Sequence, residues 1–124
     1  MPANQSSGYT IRFIKLWLPV LVCMGIIFYS SCIPGKDIPS IFSSQEILFH
    51  ALTYGVMAYF FARALKNTYA RFSLFKIIGL AVIFGIVYGF SDEFHQIFVP
   101  GRCASGFDLF IDGVGSFLGS LIHR

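Results

Sequence analysis

Residues 16–33, LWLPVLVCMGIIFYSSCI, contain no Asp, Glu, Lys, Arg or His. A helix over this run, rising about 1.5 Å per residue, covers most of a ~30 Å hydrocarbon core. The rest of the chain gives it little to hide behind. Of its 124 residues, 56% are hydrophobic, fifteen are Phe and only 12% are charged, against roughly 25% charged in soluble domains. A soluble fold this small has too little interior for that apolar surface, so the bilayer is the expected solvent. Pro19 falls in the first turn of the expected helix, where a missing N–H is tolerated. Pro34-Gly35 stops it, and Trp17 and Tyr29 sit near its ends as interfacial aromatics do. The run ends Tyr29-Ser30-Ser31-Cys32, faintly like a lipoprotein cleavage site. Tyr rather than Leu stands three residues before the cysteine, and the run is long for a signal core, so a retained span is the preferred reading.

Three further apolar segments follow. Residues 1–10 are polar and small and read as a disordered tail, leaving 11–124 as one domain. After a polar loop over 34–46, Ser43 and Glu46 have capping-box spacing, which predicts a second span from Ile47 to Leu65. Glu46, His50 and Tyr54 recur every four residues along it and share a face. A short link flanked by Arg63, Lys66, Arg71 and Lys76 makes spans two and three antiparallel neighbours. The third span is expected from Phe72 to Phe90, thinned by Gly79, Gly85 and Gly89 for close helix contact. Pro100-Gly101 breaks the chain. The fourth, Phe107 to Ile122, places Asp108, Asp112, Gly115 and Gly119 on one stripe, which should face protein because a lipid-facing Asp would be unpaired. The fold class expected is all-α: an integral membrane, antiparallel bundle of four transmembrane helices. Gly115-x-x-x-Gly119 is a packing signal that serves equally within the chain or between copies in a homo-oligomer.

Seven of the nine Lys and Arg flank one set of span ends; only Lys36 and Arg102 flank the other. The positive-inside rule then puts both termini in the cytoplasm of a multi-pass inner-membrane protein. The basic residues are scattered and form no nucleic-acid patch. Three cysteines without CxxC or Cys/His spacing argue against a zinc motif and against a dense disulfide framework. Cys32 and Cys103 share the outer side, where a bridge could persist.

Residues 88–119 hold four of the six acidic residues. Here Asp92, Glu93, His95, Gln96, Arg102, Asp108 and Asp112 crowd against hydrocarbon, where ionisable groups persist mainly for function or mutual support. In the assumed topology they meet Glu46 and His50 at the outer face. Arg102 offers a planar fork of donors for the phosphate of a lipid-linked substrate. Gln96, His95, Tyr54 and Asp112 are further substrate-binding candidates. Glu93, His50, Asp108 and Asp92 are candidates for proton movement. The competing reading is a structural network in which Arg102 pairs with Asp108, Asp112 or Glu93. A metal held by Glu93, His95, Asp108, Asp112 and His50 is a weaker reading, since no HExxH or paired-His motif supports it, and neither metal nor cofactor is expected. Ser91 and Ser105 lack a GxSxG setting. His50, Glu93, Arg102 and Asp108 are expected to meet in space.

The run from Asp92 to Arg102, DEFHQIFVPGR, followed by Asp108 and Gly115-x-x-x-Gly119, resembles the VanZ-like family. His50 with Tyr54 resembles that family's His-x-x-x-Tyr. The matching positions are His50, Tyr54, Glu93, Gln96, Pro100, Gly101, Arg102 and Asp108. The resemblance implies a small bacterial inner-membrane protein acting in the cell envelope. The founding member accompanies glycopeptide resistance and raises tolerance to teicoplanin. One position departs: Asp112 stands where the family commonly has Asn. An ionised Asp cannot donate a hydrogen bond, so Asp112 must be protonated or have found a cation.

Overall fold

The computed structural model describes residues 3–34, 37, 41, 45–101 and 106–122, and the side chains from Ser6 onward within that set. Four helices form one bundle: α1 (Ala3–Ser31), α2 (Gln45–Thr68), α3 (Leu74–Gln96) and α4 (Gly106–Ile122). No strand occurs among the described residues. Three of the helices are long and apolar enough to cross a membrane, over Ser6–Ser31, Gln45–Thr68 and Leu74–Gln96. The expected fourth span is shorter. At 17 residues, α4 is about 25 Å long, below the ~30 Å of a hydrocarbon core.

The packing is that of a protein folded in lipid. Small and polar residues fill the interior: Ala58, Ala62, Ala81, Ser116 and Ser120 are all fully buried. Large apolar side chains point out, among them Phe75, Val87, Phe90, Phe110 and Ile122. Where lipid replaces water, burying Leu or Phe gains little. Close backbone approach through small residues holds the helices together instead.

That approach is closest between α2 and α4. Gly115 lies against Ala51, and Gly119 against Gly55. The contact advances four residues on both helices, so α2 and α4 run parallel, each starting at the same end of the bundle. The small-residue stripe at Gly115 and Gly119 is therefore spent inside the chain, and both glycines are buried. On α3, Gly85 faces Ser116 and Gly89 faces Asp112, while nothing approaches Gly79. The α3–α4 approach thus uses two of the three glycines expected to thin that helix.

Three boundaries differ from expectation. α1 begins at Ala3, so most of the segment read as a tail is helical. Extending an existing helix is easy once nucleated, and nothing between Ala3 and Leu16 stops it. α3 continues past Phe90 to Gln96, because the first breaker beyond is Pro100; Gly101 then takes φ 74° in the turn. Ser73, rather than a residue at 72, starts α3 as N-cap, its hydroxyl accepting from the Lys76 N–H. At α2, Gln45 reaches back to the Ile41 N–H at 2.7 Å. Ser43 of the expected capping box lies outside the described residues.

With α1 lengthened, Pro19 lies in its interior. It has no N–H for the carbonyl four residues earlier, that of Lys15. Arg63 of α2 donates to the Lys15 carbonyl at 3.3 Å, the kind of repair by a neighbouring helix that makes proline tolerable in membrane helices. Two residues beyond Lys15, Trp17 Nε1–H donates to Thr68 Oγ1 at 3.1 Å. Arg63→Ala should cost up to about 1 kcal/mol in the native sequence and nothing in a Pro19→Ala background, where the helical N–H is restored. Unfolding of the four variants in mixed detergent measures this; equal costs in both backgrounds would remove the proline from the account.

Candidate functional site

The polar residues gather at the end of the bundle where α1 and α3 finish and α2 and α4 begin. Each element delivers its own group by helical spacing. His50 and Tyr54 lie one turn apart on the inner face of α2, and both are buried. Asp92, Glu93 and Gln96 are buried on the last turns of α3. They lie on the helix, which runs beyond the Phe90 expected as its end. Asp112 of α4 is wholly buried, its neighbour one turn earlier, Asp108, half so.

At the centre, His50 Nδ1 and Asp112 Oδ1 are 2.8 Å apart. With Nδ1–H donating to the carboxylate, the neutral ring keeps its lone pair on Nε2. Asp112 has thus found a cation-capable partner, and it is His50. Space for the Asp112 carboxylate comes from Gly89: a Cβ there would stand 2.6 Å from Oδ2. That oxygen is buried with no hydrogen-bond partner among the described residues. Ser116 Oγ donates to the Asp112 carbonyl at 2.7 Å. Glu93 completes the group: His50, Glu93 and Asp112 each place a ligand atom within 4.8 Å of the others.

A second connection runs alongside. The Tyr54 hydroxyl donates to Asp92 Oδ2 at 3.4 Å, and its ring stacks on His50 with centroids 6.2 Å apart. Tyr88, next on α3, donates to the Met24 carbonyl at 2.6 Å and so ties α1 to the site. A narrow recess with room for about one water molecule opens here. Its walls are Ile27, Ser30 and Ser31 of α1, Phe49, His50, Thr53 and Tyr54 of α2, and Asp92 and Gln96 of α3.

Of the residues singled out from sequence, His50, Tyr54, Glu93, Gln96 and Asp112 come together, with Asp108 at the margin. Glu46 is exposed. His95 stands apart: its Nε2 is 3.2 Å from Cys32 Sγ, and its ring stacks on Phe28 at 4.8 Å. Arg102 and Cys103 lie outside the described residues; Cys32 carries a free thiol. The α1 wall and the Tyr54–Asp92 link were missed, as was the role of Gly89. Their available signal was the match between Gly85 and Gly89 on α3 and Asp112 and Ser116 on α4, each pair four residues apart.

Residues 16–124 match the family model described as VanZ/LLP1. The chain belongs to the VanZ/LLP1 family. The match covers all the site residues and leaves out only the first fifteen positions. No curated protein and no solved structure matches the chain. Within this VanZ-family chain, the segment from Asp92 to Gln96 is the end of α3, with Asp92, Glu93 and Gln96 buried, and the His-x-x-x-Tyr pair is buried on α2.

Proposed function

We propose that this VanZ-like protein is a bacterial inner-membrane protein whose polar site, at the extracytoplasmic face, binds or acts on a lipid-linked, phosphate-bearing component of the cell envelope. The observation that carries the reading is the His50–Asp112–Glu93 group. Three helices place ionisable side chains in one buried spot beside a recess with hydroxyl and carboxylate walls. Burying that many charges is expensive, and charges are rarely retained at membrane depth without a task. The recess lies between α1, α2 and α3, with apolar side chains on the bundle exterior to meet a lipid tail, and admitting a headgroup there requires the helix ends to part. Arg102, at the end of the signature segment, is the phosphate-holding residue in this reading. Tolerance to teicoplanin accompanies the family's founding member, and here it would follow from altered handling of such an envelope lipid.

α4 is a fourth membrane helix in this reading. Its outer face carries Phe107, Phe110, Val114, Phe117, Leu118 and Ile122, all exposed, while its inner face carries Asp112 and the glycines. Both termini are cytoplasmic in this reading, which the seven-to-two split of Lys and Arg supports. Single cysteines at Lys66 and Ser105 in a cysteine-free background test this. An impermeant thiol reagent applied to intact cells should label position 105 only, and labelling at 66 alone would reverse the orientation.

Binding is read most simply from melting temperature. The purified chain in detergent should be stabilised by a polyprenyl phosphate and not by the matching polyprenol, because ligand binding to the folded state raises stability. An equal response to both, or to neither, would remove the phosphate from the proposal.

A competing reading treats the cluster as a scaffold that only specifies helix packing. The 2.8 Å His50–Asp112 contact favours it to the extent that the pair joins α2 to α4. The two readings differ in what happens when Glu93 is lost.

A further inference from the structure

We propose that His50, Glu93 and Asp112 bind one divalent transition-metal ion of the zinc type. Their ligand atoms come from three different helices and lie within 4.8 Å of one another, all in buried side chains. Donors on a tetrahedral zinc stand about 3.4 Å apart, given bonds near 2.1 Å, so loading requires about 1 Å of side-chain movement. A second feature points to a ligand. Asp112 has no solvent exposure, and its Oδ2 has no hydrogen-bond partner among the described residues. That oxygen faces α3 at Gly89, one turn before Glu93. A buried carboxylate oxygen without a donor is costly, and a bound cation supplies what is missing.

The donor set selects the ion. One imidazole nitrogen with two carboxylates suits zinc and its neighbours, whereas magnesium and calcium favour all-oxygen surroundings. Three protein ligands leave a fourth position open, as in zinc sites that take a substrate oxygen. His50 also lines the recess between α1, α2 and α3. For the phosphate alone, this inference rests on the reading above; the metal site itself does not need it.

The test is calorimetric titration of zinc chloride into the full chain in detergent after chelator treatment. Cys23, Cys32 and Cys103 are replaced by serine, since the Cys32 thiol beside His95 would itself take zinc. One zinc per chain is expected, with affinity at least about tenfold weaker in Glu93→Gln and in Asp112→Asn and no comparable binding of magnesium. X-ray absorption at the zinc edge on the loaded parent protein gives a readout independent of those variants, and should show one imidazole with oxygen ligands. Absence of stoichiometric zinc, binding unaffected by both substitutions, or a spectrum without imidazole would each overturn the proposal. Loss of zinc binding with the polyprenyl-phosphate response intact would end the metal site and leave the proposed function standing. Zinc binding without that response would do the reverse.

Discussion

Gly119→Ala is expected to destabilise the bundle by about 3 kcal/mol, the upper range for overpacking a tight contact. The added methyl would collide with the Gly55 carbonyl oxygen and stand 2.7 Å from its carbon and 2.8 Å from Gly55 Cα. These are backbone atoms of a helix, which cannot swing aside as a flexible side chain can. α2 and α4 would have to separate, and His50 would be drawn from Asp112 with them. Gly79→Ala provides the control. Nothing stands within 4 Å of its Cβ position, so it should be neutral or stabilising by up to about 1 kcal/mol through helix propensity. Unfolding both variants in mixed detergent separates the cases. If Gly119→Ala were as benign as Gly79→Ala, the parallel α2–α4 contact would not be the main joint of the fold.

The second large effect is at Asp112. Asp112→Ala should cost about 2–3 kcal/mol, because it leaves buried His50 without its acceptor. Asp112→Asn should cost less than about 1 kcal/mol, since an amide oxygen can still accept from the Nδ1–H. The family's usual Asn at this position would keep the contact in the same way. His50→Ala combined with Asp112→Ala should be less harmful than the sum of the two, with a coupling of about 1 kcal/mol or more. An Asn variant as damaged as the Ala variant would mean that the charge matters and the hydrogen bond does not.

The inner faces were legible because helical spacing displays them. Asp108, Asp112, Gly115 and Gly119 fall on one stripe, and charge in lipid leaves that stripe only one direction to face. His50 and Tyr54 were placed by the same reasoning, and both are buried. Glu46 shares their face yet is exposed, as are Ile47, Leu48 and Phe49 beside it. Periodicity identifies a face but not the helix opposite it. The small residues Ala51 and Gly55 attract no notice until Gly115 and Gly119 are seen against them, so the parallel pairing of α2 with α4 was hidden. For the same reason the sequence did not single out His50 as the partner of Asp112, from which it lies 2.8 Å away. The extension of α3 to Gln96 was hidden differently. Asp92 and Glu93 lie beyond the last apolar run of α3, and only the Tyr54 hydroxyl on Asp92 and the nearness of His50 and Asp112 to Glu93 show why a polar turn is buried there.

The central claim is that the cluster at this end of the bundle serves a ligand and does not merely hold the helices. Glu93→Ala, measured together with Arg102→Ala for melting temperature and for the shift produced by a polyprenyl phosphate, tests it most directly. The account predicts proteins that still melt cooperatively within a few degrees of the parent and no longer respond to the phosphate-bearing lipid. Chains that fail to fold, or that fold and respond as the parent does, would contradict it.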